Sequence, residues 1–298
     1  MLKRLVSISE NLIKVSYYAL FTITPLLVCP ATHELFEFSK MLFVYAVTVV
    51  ILAAFLVKIQ NTKYKILHTV RSNTFTVAIL CYFAFFTLST VFSSNLYTSI
   101  FGYYGRFHGG FLSLLSYLIL FYIYIQEFSG APKKMLTTIY LLLSTGFLVS
   151  LYGILQHLGV DQEYWIQDSA ARVFSTLGQP NWLAAWLVML LPLSWYFFFF
   201  SENGLRITVY GFLSVILFAS FWFTYSLSGL LGFVIAGIVF LTFSLKQIQY
   251  RKKRLFLLVT SYLLLVTVFP GFFTERINRL RKQFTYVSQV YAQESTRG

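Results

Sequence analysis

The sequence predicts an all-α, polytopic membrane protein with about nine transmembrane helices. Of its 298 residues, 58% are hydrophobic and only 11% are charged, and the mean hydropathy is +0.72. A soluble globular chain is about a quarter charged. A bilayer core roughly 30 Å thick requires about 20 mostly apolar residues per helix. Because lipid offers backbone polar groups no partner, each such segment must satisfy its own hydrogen bonds. Long apolar runs therefore indicate helices.

Nine apolar runs are long enough to be candidate spans. They cover most of residues 1–272, which we predict to form one transmembrane domain. The first run follows two basic residues and has no small-residue cleavage site after it, so we predict a retained helix rather than a signal peptide. The runs occupy roughly residues 11–29, 41–57, 74–91, 111–126, 135–155, 182–200, 207–225, 229–245 and 255–272.

Lysine and arginine predict the orientation of these helices, because cytoplasmic loops are enriched in both residues. With a cytoplasmic N-terminus, the inner segments up to residue 272 hold 15 basic residues and the outer segments hold three. The N-terminus is therefore predicted to be cytoplasmic and the C-terminus external. The inner loops also account for most of the net charge of +13. Since no nucleic-acid motif is present, we expect no nucleic-acid partner.

Three segments on the predicted outer side have unusual polar content: residues 92–110, 156–181 and 226–229, the first, second and third polar segments. Each precedes a helix that runs inward, so its N-terminus points outward. Free N–H groups and a partial positive charge at such an end favour an anion. Arg106 and Arg172 lie beside two of these ends, and guanidinium pairs bidentately with phosphate.

This pattern favours a phosphate or pyrophosphate site at the outer membrane surface. The alternative is a set of ordinary turns whose arginines reach the lipid headgroups. Glycines in the first two polar segments would allow the backbone to approach a ligand closely. They are Gly102, Gly105, Gly109, Gly110 and Gly178.

Other titratable residues on the same side are less specific. His108 and His157 are each a possible general base, but an interfacial histidine is more often a hydrogen-bonding surface residue. Asp161, Glu163 and Asp168 share one loop, and their spacing matches no metal-binding pattern. We therefore assign no metal and no cofactor.

Residues 273–298 are predicted to form an external, amphipathic and basic segment. Apolar residues recur there at helical spacing with arginines between them, which is typical of a helix lying in the membrane interface. The chain then ends in a polar stretch after an odd number of spans. We expect this segment to open a large external loop and the reading frame to continue past codon 298.

The order of four short motifs resembles the O-antigen ligase and polymerase family of bacterial membrane glycosyltransferases. The resemblance covers roughly residues 85–298. It lies in SIFGYYGRFHGG from Ser99, RVFSTLGQPNWLA from Arg172, YSLSGLLG from Tyr225 and ESTR from Glu294. The third motif departs from the family pattern, because leucine and serine stand where an arginine is usual.

The resemblance implies a function and a set of site residues. The donor would be an undecaprenyl-diphosphate-linked glycan at the outer face of the cytoplasmic (inner) membrane. A hydroxyl of a lipid, glycan or protein acceptor would attack the anomeric carbon, without metal or nucleotide. By resemblance, Arg172, Arg106 and Arg297 bind the pyrophosphate. Gln179 and Asn181 position the loop or touch sugar, and the catalytic base is a histidine beyond residue 298.

Two other classes of function stay open. A transporter or flippase for a lipid-linked glycan would place ionisable residues within its spans or contain internal repeats. The predicted span cores are nearly free of charge, and no repeat is evident. A non-catalytic membrane assembly subunit of surface polysaccharide synthesis would leave no signature in the sequence.

Overall fold

The computed structural model describes residues 2–32, 34–61, 74–165 and 167–271, and these ranges contain helices, turns and loops but no strand. The all-α prediction is confirmed for this part of the chain. Its ten α-helices are α1 Leu2–Leu26, α2 Glu37–Gln60, α3 Thr74–Val91, α4 Leu96–Phe101, α5 Phe111–Phe128, α6 Pro132–His157, α7 Pro180–Phe200, α8 Gly204–Phe223, α9 Leu227–Ile248 and α10 Lys252–Val268.

Nine of these ten helices coincide with the nine predicted apolar runs, each overlapping one run. Six helical stretches in the described ranges are long and apolar enough to cross a membrane: α2, α5, α6, α7, α8 and the stretch Leu227–Val268. By length and composition, the chain is a multi-pass membrane protein. The remaining helix, α4, has six residues within the first polar segment and was not predicted from the sequence.

The stretch Leu227–Val268 contains two helices that run in opposite directions. The rings of Phe233 on α9 and Tyr262 on α10 have centroids 6.3 Å apart. In a continuous straight helix these two positions would be about 43 Å apart along the axis. The chain therefore reverses at the single 3₁₀ turn Gln249–Arg251, which separates the two helices.

The helices form two compact units. The first unit contains residues 1–145 and 176–178. The second unit contains residues 146–175 and 179–298. The division falls within α6, between Thr145 and Gly146, so this helix contributes its first half to one unit and its second half to the other.

The core of the first unit lies between α1, α2 and α5. Its buried side chains include Ile13, Ile51 and Ile123, each about 1% exposed or less. Tyr17 is equally buried, and its hydroxyl donates to the carbonyl of Leu120 at 2.6 Å. A phenol in an apolar core needs such a partner, since an unsatisfied hydroxyl there costs free energy. The bond therefore fixes α1 against α5.

A buried ion pair joins the ends of the same three helices. The Lys58 ammonium, in the last turns of α2, lies 2.9 Å from a carboxylate oxygen of Glu127 near the end of α5. It lies equally close to Glu10 on α1. The Glu127 side chain is 3% exposed, whereas that of Glu10 is 46% exposed. Opposite charges offset the desolvation that burying either charge alone would cost.

In the second unit, α7 is buried along most of its length by α8 and α9. Leu183, Leu187 and Leu191 on α7 are fully buried. The hydroxyl of Tyr262 lies 2.9 Å from the indole nitrogen of Trp195 on α7 and 2.5 Å from the hydroxyl of Ser214 on α8. These bonds satisfy three polar groups within an apolar environment and join α10 to the two helices.

Two arginines close the C-terminus of α7. Arg254 donates to the carbonyls of Phe198, Phe199 and Ser201 at 2.9–3.1 Å, and Arg251 donates to the carbonyl of Phe199. The last four carbonyls of a helix have no partner within it, and cations near this end also interact favourably with the helix dipole. The guanidinium groups meet both requirements.

We predict that Glu127→Gln destabilises the protein by about 3 kcal/mol, because it removes the buried carboxylate that faces Lys58. The matched control is Glu10→Gln, which changes the half-exposed partner of the same lysine and should cost less than about 1 kcal/mol. Unfolding in mixed detergent micelles measures both variants. Equal losses in the two variants would contradict the assignment of Glu127 as the main partner.

Candidate functional site

Each of the three polar segments ends at a helix N-terminus. The caps that precede α5, α7 and α9 are Gly110, Gln179 and Ser226, each with extended backbone angles. The sequence-based prediction of helix starts at these places is confirmed. Within the second unit, the starts of α7 and α9 lie together, and the side chains between them form the candidate site.

Arg172 is the central residue of this candidate site. Its Nε donates to the carbonyl of Thr224 at 3.1 Å, and its Nη2 donates to the Asn181 side-chain oxygen at 3.4 Å. The backbone N–H of Arg172 also donates to the carbonyl of Asp168 at 3.2 Å. The Asp168 carboxylate accepts from the N–H of Ala171 at 3.0 Å. Such a side-chain-closed turn fixes the direction in which the chain presents the arginine.

Asn181 connects Arg172 to the start of α9. The Ser226 hydroxyl donates to the same Asn181 oxygen at 2.8 Å. It also accepts from the N–H of Gly229 at 3.1 Å, as an N-cap of α9. One hydrogen-bond network therefore joins the first turns of two helices to one guanidinium group. Both helix ends and the arginine contribute positive potential to the same region, which suits an anionic group.

Buried hydrogen bonds of the next residues along the chain hold the loop that carries Arg172. Val173 donates its N–H to the carbonyl of Phe223 at 3.1 Å. Ser175 is fully buried; its N–H donates to the Gln156 side chain and its hydroxyl to the carbonyl of Val149, both at 2.7 Å. Ser175 has φ of +51°, a conformation that costs a non-glycine residue free energy and needs such support.

Gln179 occupies the N-cap position of α7. Its carbonyl accepts from the N–H groups of Trp182 and Leu183 at 3.1 and 3.0 Å. Its side-chain oxygen is buried and has no hydrogen-bond partner among the residues that the structure describes. Gln179 thus adds an unused acceptor at the start of α7.

The neighbouring histidine and carboxylates have structural roles. The His157 ring nitrogen Nδ1 lies 3.0 Å from the carbonyl of Ala170, and its ring stacks on Phe223 with centroids 3.8 Å apart. Asp161 is hydrogen-bonded to the hydroxyl of Tyr152. In the described ranges, no three His, Cys, Asp or Glu side chains are grouped to hold a metal. That no metal or cofactor is used stays a prediction.

Arg106 lies in the first unit, in a loop closed by two glycines. A Cβ on Gly102 would overlap the carbonyl of His108, and a Cβ on Gly110 would overlap the backbone N of Gly102. The N–H of Tyr103 closes the loop by donating to the carbonyl of His108 at 3.0 Å. Gly105 differs, because nothing lies within 4 Å of its Cβ position; its φ of +79° is what favours glycine.

An acidic residue faces Arg106. The Nε of Arg106 lies 3.6 Å from a carboxylate oxygen of Glu37, at the start of α2. Beside this pair is an open cavity of about 750 Å³, and four of its nine lining residues are aromatic. The lining consists of Ala31, Thr32, Glu34, Phe38, Tyr97, Tyr104, Gly105, Arg106 and Phe107.

The structure brings together part of the predicted residue set. Arg172 and Asn181 are in direct contact, and Gln179 caps the same helix as Asn181. Arg106 belongs to the first unit, and Arg297 lies outside the described residues. The Thr224 carbonyl was not predicted, because the sequence offers no signal for it. Glu37 was also not predicted, although an acidic residue at the start of an apolar run is a signal.

Comparison with protein-family models, with curated proteins and with solved structures gave no match. No family is therefore assigned by overall similarity.

We predict that Ser226→Ala destabilises the second unit by about 1–2 kcal/mol, because it removes the N-cap of α9 as well as the bond to Asn181. Ser228→Ala is the matched control. Ser228 is exposed, and the described contact of its hydroxyl is with Ser226 at 3.1 Å, so a change within about 0.5 kcal/mol is expected. Unfolding midpoints in mixed micelles provide the measurement. A larger loss for Ser228→Ala would show that the network is organised differently.

Proposed function

We propose that this protein transfers or polymerises an undecaprenyl-diphosphate-linked glycan, as O-antigen ligases and polymerases do. The acceptor is a hydroxyl at the outer face of the cytoplasmic membrane. The observation that carries the proposal is the position of Arg172, hydrogen-bonded to Asn181 where the first turns of α7 and α9 meet. The motif resemblance supplies the substrate class, and the chemistry of the site supports an anionic leaving group.

The chemistry needs charge stabilisation at the leaving group. The acceptor oxygen forms a bond to the anomeric carbon, and the bond from that carbon to the pyrophosphate oxygen breaks. Negative charge then grows on undecaprenyl diphosphate, where a guanidinium and two helix N-termini stabilise it. The hydroxyl proton passes to a general base. No metal or nucleotide takes part, because the pyrophosphate is already an activated leaving group.

The other predicted residues have supporting roles in this proposal. Asn181 orients Arg172 by accepting from its Nη2. Gln179 occupies the N-cap position of α7, and by resemblance it positions the loop or touches sugar. Arg297 binds the same pyrophosphate, by resemblance only. Arg106 binds substrate in the first unit.

Nine crossings with a cytoplasmic N-terminus and an external C-terminus belong to the same proposal. Contacts inside each unit support the alternation of direction. In the first unit, Lys58 at the end of α2 pairs with Glu10 near the start of α1. In the second unit, Arg251 and Arg254, at the start of α10, cap the end of α7. The starts of α7 and α9 meet through the hydrogen bond from Ser226 to Asn181.

The alternative functions are a transporter or flippase for a lipid-linked glycan and a non-catalytic assembly subunit. A transporter typically has ionisable residues at membrane mid-depth. The buried ion pair of Lys58 and Glu127 lies instead in the last turns of two helices. This placement favours a structural role for the pair, and the transferase remains the preferred function.

The proposed orientation predicts the labelling of introduced cysteines by a membrane-impermeant maleimide. Tyr104→Cys and Tyr164→Cys, both at exposed positions, should react in intact cells. Gly130→Cys, in the exposed turn between α5 and α6, should react only after permeabilisation. The native thiols Cys29 and Cys81 are free, so both are first replaced by serine. Labelling of Gly130→Cys in intact cells would show that the turn between α5 and α6 is external, which contradicts the proposed orientation.

For activity, we predict that Arg172→Ala lowers glycan transfer about 100-fold, which is the usual cost of removing one donor that stabilises developing charge. Arg172→Lys should recover only part of the activity, because an ammonium cannot pair bidentately with phosphate oxygens. The assay follows transfer of labelled lipid-linked glycan in membranes of source cells that carry the variant gene. Arg206→Ala, an exposed arginine at the start of α8, is the control. Unchanged transfer in Arg172→Ala, with normal membrane insertion, would overturn the site assignment.

A further inference from the structure

We infer that the cavity beside Arg106 binds an uncharged sugar ring. This inference deepens the proposed function, on which it rests for the substrate class, because it names the part of the substrate that the first unit receives. It assigns Arg106 to hydroxyl groups of the glycan instead of to the pyrophosphate.

The cavity has walls that the fold fixes on two sides. One wall is the turn between α1 and α2, where the Thr32 hydroxyl donates to the carbonyl of Glu34 at 2.7 Å. The Glu34 carboxylate in turn accepts from the N–H of Phe38 at 2.7 Å. The other wall is the loop closed by Gly102 and Gly110, which carries Tyr104 to Phe107. Polar groups are therefore present at fixed places before any ligand arrives.

The charges of the cavity disfavour an ion of either sign. An anion would have to displace Glu37 from Arg106, at 3.6 Å, and would also face the carboxylate of Glu34, which lines the cavity. A cation would be attracted to the carboxylate and repelled by the guanidinium. A neutral ring with several hydroxyls satisfies both groups, because each hydroxyl donates to a carboxylate and accepts from a guanidinium.

The aromatic residues select a ring with an apolar face. Phe38, Tyr97, Tyr104 and Phe107 all line the cavity, and Phe38 and Phe107 have ring centroids 5.6 Å apart. A pyranose presents C–H groups on its faces and hydroxyls around its edge. Its faces therefore pack against aromatic rings while its edge reaches Glu34 and Arg106. The cavity volume of about 750 Å³ lies within the range of sites that enclose small ligands.

Tyrosines at a membrane surface also serve as anchors at the headgroup level, so the experiment separates a ligand site from an anchor. Tyr104 is 91% exposed at the rim of the cavity, and Tyr164 in the second unit is 85% exposed. Both tyrosines would behave alike as anchors. Only Tyr104 belongs to the cavity.

The test measures binding of the purified protein, in detergent, to an array of immobilised bacterial oligosaccharides that carry no pyrophosphate. The wild-type protein should bind a subset of them. Tyr104→Ala should weaken that binding about tenfold, which corresponds to about 1.4 kcal/mol. Glu34→Gln should weaken it by a similar factor, although glutamine keeps an acceptor for the N–H of Phe38. Tyr164→Ala should bind as the wild type does.

Three results would overturn the inference: no oligosaccharide binding by the wild type, equal weakening by Tyr104→Ala and Tyr164→Ala, or displacement of the oligosaccharide by millimolar sodium pyrophosphate or choline chloride. Displacement by one of these salts would instead assign the cavity to an anion or a cation. Arg172→Ala separates this inference from the proposed function. It should keep oligosaccharide binding while losing transfer. Absence of transfer by the wild-type protein would end the transferase proposal and leave the sugar cavity standing.

Discussion

Hydrocarbon offers a polypeptide no hydrogen-bonding partner. Within a helix the backbone satisfies itself, but each end leaves several N–H or carbonyl groups without an internal partner. In the second unit, Arg251 and Arg254 take up carbonyls at the end of α7, and Ser226 accepts an N–H at the start of α9. These three polar residues of an otherwise apolar chain therefore serve helix ends. A binding site in such a chain is built from the same residues that cap its helices.

Hydropathy predicted the helices of this chain because a membrane-spanning helix requires about 20 mostly apolar residues in a row. Each of the nine apolar runs overlaps a helix, and the helix starts at Phe111, Pro180 and Leu227 lie within or directly after the polar segments. The six-residue α4 was not predicted, since it is too short to give such a signal. The division into two units was also not predicted. It falls inside α6, which is one continuous helix, so no loop marks the division in the sequence.

The candidate site was only partly predictable, for a reason that Arg106 and Arg172 illustrate. Local sequence placed both arginines next to helix starts. What each one contacts depends on residues far away along the chain: the carbonyl of Thr224 for Arg172, and the carboxylate of Glu37 for Arg106. No periodicity encodes such contacts. Two residues of one type, in similar motifs, therefore contact different groups: Arg172 donates to a backbone carbonyl and Arg106 pairs with a carboxylate.

The loop around Arg106 separates the residues that give it shape from those that line its cavity. Gly102 and Gly110 let the backbone of the loop approach itself closely. A Cβ atom at either position would overlap backbone atoms on the opposite side of the loop. The side chains of Tyr104 and Arg106 line the cavity, whereas the closing hydrogen bond joins the backbone of Tyr103 and His108. In evolutionary terms, we expect the loop to tolerate exchange of Tyr104 and Arg106 as long as Gly102 and Gly110 persist. Related chains can therefore diversify what they recognise at this position without having to evolve a new loop.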